Sequence, residues 1–176
     1  IGFSMGGNQS LKYAGELGAD APPQLKGICA ISPPIDLEIC SIALRETRNF
    51  IYDYRFLRGL KERIRVKEKY FPNLVDWEKL ARVRKLWDFD DVVTAPHFGF
   101  KDGRDYYAQS SSGPYLSHIR IPTLIIQAED DPFIPFKPFQ NISRNKYVYL
   151  LTQKFGGHVG FWHPSINGHD NYWAEQ

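Results

Sequence analysis

The run Gly2-Phe3-Ser4-Met5-Gly6-Gly7 has the G-x-S-x-G form that a serine nucleophile requires. Its hydroxyl must stand clear of a sheet on a tight strand-to-helix turn, in a strained backbone conformation. That turn brings strand and helix backbones together, so the residues two before and two after Ser4 are expected to be small. A helix beginning behind Ser4 would aim its partial positive end at the reacting oxygen. The backbone N–H of Met5 would then supply half of an oxyanion hole. By itself the pentapeptide also fits a glycine-rich turn carrying a solvated serine, so further residues have to decide.

A hydroxyl attacks an ester only if a base takes its proton, and the base needs a third group to fix its tautomer. In sheet enzymes with this turn the chain order is nucleophile, acid, base. Asp130-Asp131-Pro132 directly follows an apolar run at 122–127, and His158 lies in the loop Gly156-Gly157-His158-Val159-Gly160 after the next apolar run. The order Ser4, aspartate, His158 is the required one. Either Asp130 or Asp131 can serve as the acid on these grounds.

Elements must bring these residues to one place. Residues 1–4 read as the end of a strand, Gly6–Leu17 as a helix and Leu25–Ile31 as a buried strand. Strand, helix, strand implies a parallel sheet with a right-handed crossover. Pro122–Gln127 and Lys146–Thr152 read as further strands, the first nearly all apolar as in a sheet covered on both faces. Ligands bind beyond the carboxyl ends of such strands, where Ser4, Asp131 and His158 would all lie. Between them, residues 36–118 change character. Asp36 is a fitting N-cap, Phe50 to Ile64 carries helical spacing, and Trp77, Leu80, Val83 and Trp87 suggest another helix. The expected division is a core from residues 1–35 and 119–176, with 36–118 as a helical insertion.

Six stretches resemble the hydrolase family that includes the bacterial YheT-type hydrolases, the plant embryogenesis-associated proteins and the yeast medium-chain ester synthases. They are GFSMGGN at 2–8, NFIYDYRFL at 49–57, FDDVVTAPHFGF at 89–100, DYYAQSS at 105–111, IIQAEDDPFIP at 125–135 and GGHVGF at 156–161. The resemblance implies an α/β-hydrolase fold: a mostly parallel sheet, its N-terminal strands absent from this chain, with residues 36–118 as a lid. It implies a triad of Ser4, an aspartate of DDPF and His158, acting on short- to medium-chain acyl esters or lipids by hydrolysis or by acyl transfer. The family's spacing from Ala128 to Pro135 selects Asp131 as the acid. Because Ile1 opens directly inside the motif, the chain is expected to be the C-terminal part of a longer protein. The second oxyanion donor would come from an earlier loop, and the chain alone is expected to be inactive or poorly folded.

Composition narrows the field. The chain has 176 residues, 43% hydrophobic and 24% charged, which describes a globular domain and not a disordered tail. No apolar run approaches the roughly 18 residues of a membrane span. Cys29 and Cys40 are too few for a disulfide framework and read as buried small residues in a reducing compartment, so a cytoplasmic location is expected. Residues 45–85 carry 13 Lys/Arg against 6 Asp/Glu, a net +7, and the remainder is −5. Solvated helix faces are the commoner reason for such a run. The functional reading is peripheral contact with an anionic membrane. Nucleic-acid binding is not expected, since no binding motif accompanies the charge. His158, His163, His169 and Asp170 match no zinc spacing, so neither metal nor cofactor is expected. His97 and His118 read as lid or surface residues. The rival to catalysis is a hydrolase-like scaffold that binds an acyl ligand or a partner without turning it over.

Overall fold

A computed structural model describes residues 1–142 and 145–161. These fall into two compact units, one made of residues 1–37 with those from Ser110 onward, the other of Glu38–Gln109.

The first unit is built on a sheet of four parallel strands in the order β1 (Gly2–Phe3), β2 (Ile28–Ile31), β3 (Thr123–Ala128) and β4 (Val148–Gln153). Gly2 stands opposite Ala30, Ile28 opposite Thr123, and Thr123 opposite Val148. Apolar residues concentrate here. Ile31, Ile126, Ala128 and Phe161 form a buried cluster, against which Cys29, Leu124, Leu151 and Val159 pack. Helix α1 (Met5–Leu17) crosses from β1 to β2 and buries Leu11 and Ala14 completely.

Two strands begin later than their apolar runs suggest. Leu25 N–H bonds to Pro22 O in a turn, so β2 starts at Ile28. Likewise Asn145 ties up the N–H groups of Tyr147 and Val148, and β4 starts at Val148 instead of Lys146. In both cases a local hydrogen bond competes with the ladder.

In the second unit run α2 (Leu37–Leu44, whose first residue belongs to the sheet unit), α3 (Phe50–Glu68), α4 (Trp77–Arg82), α5 (Leu86–Phe89), α6 (Ala95–Phe98) and α7 (Gly103–Ser110, whose last residue does). Its core joins Leu57 and Ile64 of α3 to Leu80, Val83, Phe89 and Val93. The helix expected from Trp77 to Trp87 is two helices. Val83 is extended, and the Asp88 carboxylate accepts the N–H groups of Arg84 and Lys85. Buried Asp53 of α3 accepts from Leu86 N–H at 2.9 Å. Two carboxylates thus satisfy donors that a continuous helix would have used itself. The first unit also holds a short helix, α8 (Lys137–Gln140).

Candidate active site

Ser4 follows β1 directly and caps α1, with φ +50° and ψ −123°. A non-glycine residue there is strained, and the surroundings have to impose it. Its N–H donates to Ile31 O at 2.8 Å, and its carbonyl accepts Asn8 N–H at 3.1 Å. The glycines around it are not equally constrained. A Cβ on Gly2 would lie 2.5 Å from Gly6 O, and one on Gly7 would lie 3.0 Å from Gly2 O, while one on Gly6 would meet nothing within 4 Å. The small-residue requirement after the serine therefore falls on Gly7, and Gly6 contributes its backbone. Met5 is the first residue of α1, so its N–H lies in the turn that the helix itself leaves without acceptors.

Ser4, Asp131 and His158 come together although they are far apart in sequence. Ser4 Oγ is 3.0 Å from His158 Nε2, and His158 Nδ1 is 2.8 Å from Asp131 Oδ2. The Asp131 side chain is fully buried and that of His158 is 15% exposed. Asp131 Oδ1 also accepts the N–H groups of Phe133 and Ile134, at 3.2 and 3.0 Å. A carboxylate so held is fixed in rotamer and well supplied with donors, as burial of its charge requires. The buried Phe133 ring lies against the imidazole, centroids 4.3 Å apart. The neighbouring Asp130 is exposed and faces elsewhere. Its Oδ1 accepts Gly156 N–H at 2.9 Å and Gly157 N–H at 2.8 Å.

Three residues of this neighbourhood escape the sequence. Asn8, almost fully buried, donates to Ser110 O and accepts from Ser112 N–H, both at 2.9 Å. Its one signal is its place at the end of the GFSMGGN run. Phe133 belongs to the DDPF run but nothing in the sequence aims it at a histidine. Ser32, in Ile31-Ser32-Pro33, carries no signal at all.

His97 and His118 are exposed and lie outside the cluster. His163, His169 and Asp170 lie outside the described residues. Among the described residues no group of three or more His, Cys, Asp or Glu could hold a metal. Cys40 is buried and Cys29 half-buried, both as free thiols, and burial pushes the Cys29 thiol up from its ordinary range. An open depression of about 560 Å³ lies at the other end of the strands, among Ile28, Thr123, Leu124 and Tyr149, and includes none of the clustered residues.

No family model matches the chain. Curated relatives do. The chain is 35% identical over 182 residues to YheT of Escherichia coli (strain K12), which carries the name of an esterase. That alignment takes in 99% of this chain and 52% of YheT. YheT and the other relatives are α/β-hydrolases, the family that the motifs resemble. Further relatives include the embryogenesis-associated protein EMB8 of Picea glauca, 30% identical over 92% of this chain and 36% of that protein. A monoacylglycerol lipase of Saccharomyces cerevisiae is also 30% identical, over 92% of this chain and 37% of the lipase. The chain thus spans about half the length of YheT and little more than a third of the other two. Likeness to these relatives and the parallel sheet with its serine at the strand-to-helix turn agree on the fold expected from the motifs: an α/β-hydrolase fold.

Proposed function

We propose that this chain carries the catalytic triad of a serine acyl-ester hydrolase, with Ser4 as nucleophile, His158 as general base and Asp131 as the residue that orients it. The observation that carries this reading is the unbroken line from Ser4 Oγ to His158 Nε2 and from His158 Nδ1 to Asp131. The names of the relatives, an esterase and a lipase among them, support the substrate class, carboxylic esters or lipids, and the family resemblance points to short or medium acyl chains within it.

In this reading Ser4 Oγ attacks the ester carbonyl carbon while its proton passes to His158 Nε2. The carbonyl oxygen becomes an oxyanion that accepts from Met5 N–H. Asp131 keeps the Nδ1 proton in place and stabilises the imidazolium. His158 then gives its proton to the leaving alcohol oxygen as the carbon–oxygen bond breaks, which leaves acyl-Ser4. Water attacks the acyl carbon, His158 takes a proton from it, and collapse returns that proton to Ser4 Oγ and frees the acid. An alcohol in place of water completes an acyl transfer through the same intermediate. Residues 36–118 act as a lid that sets acyl-chain preference.

A fluorophosphonate probe applied to the full-length protein that carries this sequence tests the reading. The adduct is expected on Ser4, by mass spectrometry. Ser4→Ala should abolish labelling and lower ester turnover by about 10⁴-fold or more. Labelling and turnover that survive in that variant would refute it.

A further inference from the structure

We propose that Asp130 and Ser32 are positioning residues that hold the His158 loop from both sides, so that Nε2 keeps its place at Ser4 during turnover. This rests on the triad reading above. Neither residue touches the reacting atoms, and each acts through the backbone beside the histidine.

The loop needs holding. His158 lies five residues beyond the end of β4, after two glycines. Three residues around it, Gly157, Val159 and Phe161, have φ of +58°, +56° and +42°. For a β-branched valine or a phenylalanine such a backbone is an outlier and persists only where the surroundings impose it. One internal bond, Phe161 N–H to Gly156 O at 2.9 Å, closes the loop on itself. Val159 and Phe161 pack against the sheet, and hydrogen bonds from two other strand ends hold the loop backbone there. Asp130, just past β3, accepts Gly156 N–H and Gly157 N–H on the near side of His158. Ser32, just past β2, accepts Val159 N–H on its Oγ at 3.2 Å on the far side. Ser32 is fully buried and is itself held at φ +48°. Two strand ends therefore grip the backbone one residue before and one residue after the imidazole. A charged acceptor shared by two N–H groups is the stronger kind of grip. Proton transfer between Ser4 and the leaving group depends on imidazole placement, and small displacements there are expensive.

The test uses the full-length protein with Asp130→Ala, Asp130→Asn, Ser32→Gly and Ser4→Ala, assayed for kcat and KM on a p-nitrophenyl ester. Ser32→Gly removes the hydroxymethyl group and suits the positive φ, so it is expected to fold. Asp130→Ala and Ser32→Gly should each lower kcat about 10- to 100-fold with KM changed less than about twofold. Asp130→Asn, whose amide oxygen still accepts, should recover most of that loss. Unchanged kcat in Ser32→Gly would overturn the proposal, whether or not Asp130→Ala folds. Asp130→Asn as slow as Asp130→Ala would overturn the part given to Asp130. The controls stay separable: turnover surviving in Ser4→Ala brings down the triad reading itself. An inactive Ser4→Ala beside fully active clamp variants brings down the clamp alone.

Discussion

Asp130 and Asp131 are adjacent and chemically identical, yet their surroundings separate them. Asp131 is buried, with its two oxygens shared among two backbone N–H groups and the His158 ring. Asp130 is exposed and accepts from two glycines of the histidine loop. Losing the charge at Asp131 would free His158 to take the wrong tautomer, whereas an amide at Asp130 still accepts from the loop. Asp131→Asn is therefore expected to lower kcat by about 10⁴-fold. Asp130→Asn should cost far less, and steady-state rates on one ester decide between them. The reverse order of damage would move the orienting role to Asp130.

Among the elements, the helical unit centres on a buried polar knot. The chain from Asp90 to Thr94 makes a π-type turn after α5, and its Asp90 is buried. Tyr107 Oη donates to Asp90 Oδ2 at 2.6 Å, Thr94 Oγ1 donates to Oδ1 at 2.7 Å, and Ser41 Oγ lies 3.0 Å from Tyr107 Oη. Burial pushes the Asp90 carboxyl up from its ordinary range, more than those hydrogen bonds pull it down. The same burial, then the charge of Asp90, pushes the Tyr106 hydroxyl up to about 12. A carboxyl whose folded pKa lies above its unfolded one contributes its full stability below the unfolded value, and loses it as pH rises through the folded value. Asn stays neutral throughout. The stability of Asp90→Asn relative to the parent should therefore increase as pH rises from about 4 toward neutrality, by about 1.4 kcal/mol for each unit of elevation. Urea melts at several pH values measure this. A gap that stays flat or shrinks would mean that Asp90 is not held in its neutral form.

For the whole molecule, the questions are what enters the site and where the protein works. Residues 36–118 contain 14 aromatic residues, and several, such as Tyr107 and Phe89, are plainly structural. If others wall an acyl site, each fitting methylene adds about 0.8 kcal/mol. A series of p-nitrophenyl esters should then show a clear chain-length optimum, and exchanging this segment for that of a relative should move it. An optimum that stays with the sheet unit would place the specificity pocket elsewhere. The start of α3 exposes Phe50, Ile51 and Tyr54, and Arg55, Arg58, Arg63 and Arg65 are exposed along the same helix. No helix among the described residues is long and apolar enough to cross a membrane. Aromatic and basic residues together suit the surface of an anionic bilayer. The full-length protein should sediment with phosphatidylserine vesicles more than with phosphatidylcholine vesicles. Replacing two of these arginines by glutamine should weaken the first by about fivefold each, since each contributes about 1 kcal/mol. Equal sedimentation with both lipids would remove the basic helix from any such role.

The sequence by itself determined what depends on neighbours along the chain. The glycines at the serine turn, the apolar run of β3 and the spacing of α3 are local patterns, and each gave its element nearly in place, while the order of serine, aspartate and histidine is read directly along the chain. Only the tertiary structure decided what depends on residues meeting across the fold. The order of nucleophile, acid and base leaves Asp130 and Asp131 equivalent and only the family's spacing prefers Asp131, whereas the path of the His158 loop past β3 gives the two carboxylates different partners. Gly6 and Gly7 look alike in the run, but only at Gly7 would a side chain meet the backbone of Gly2. The pattern from Trp77 to Trp87 is helical throughout, yet Asp53 from another helix and Asp88 satisfy the donors that divide it. Ser32 is a lone hydroxyl before two prolines, and it acquires its contact to Val159 only because β2 ends beside that loop. Hydrogen bonds between distant segments leave no periodicity for a sequence to display.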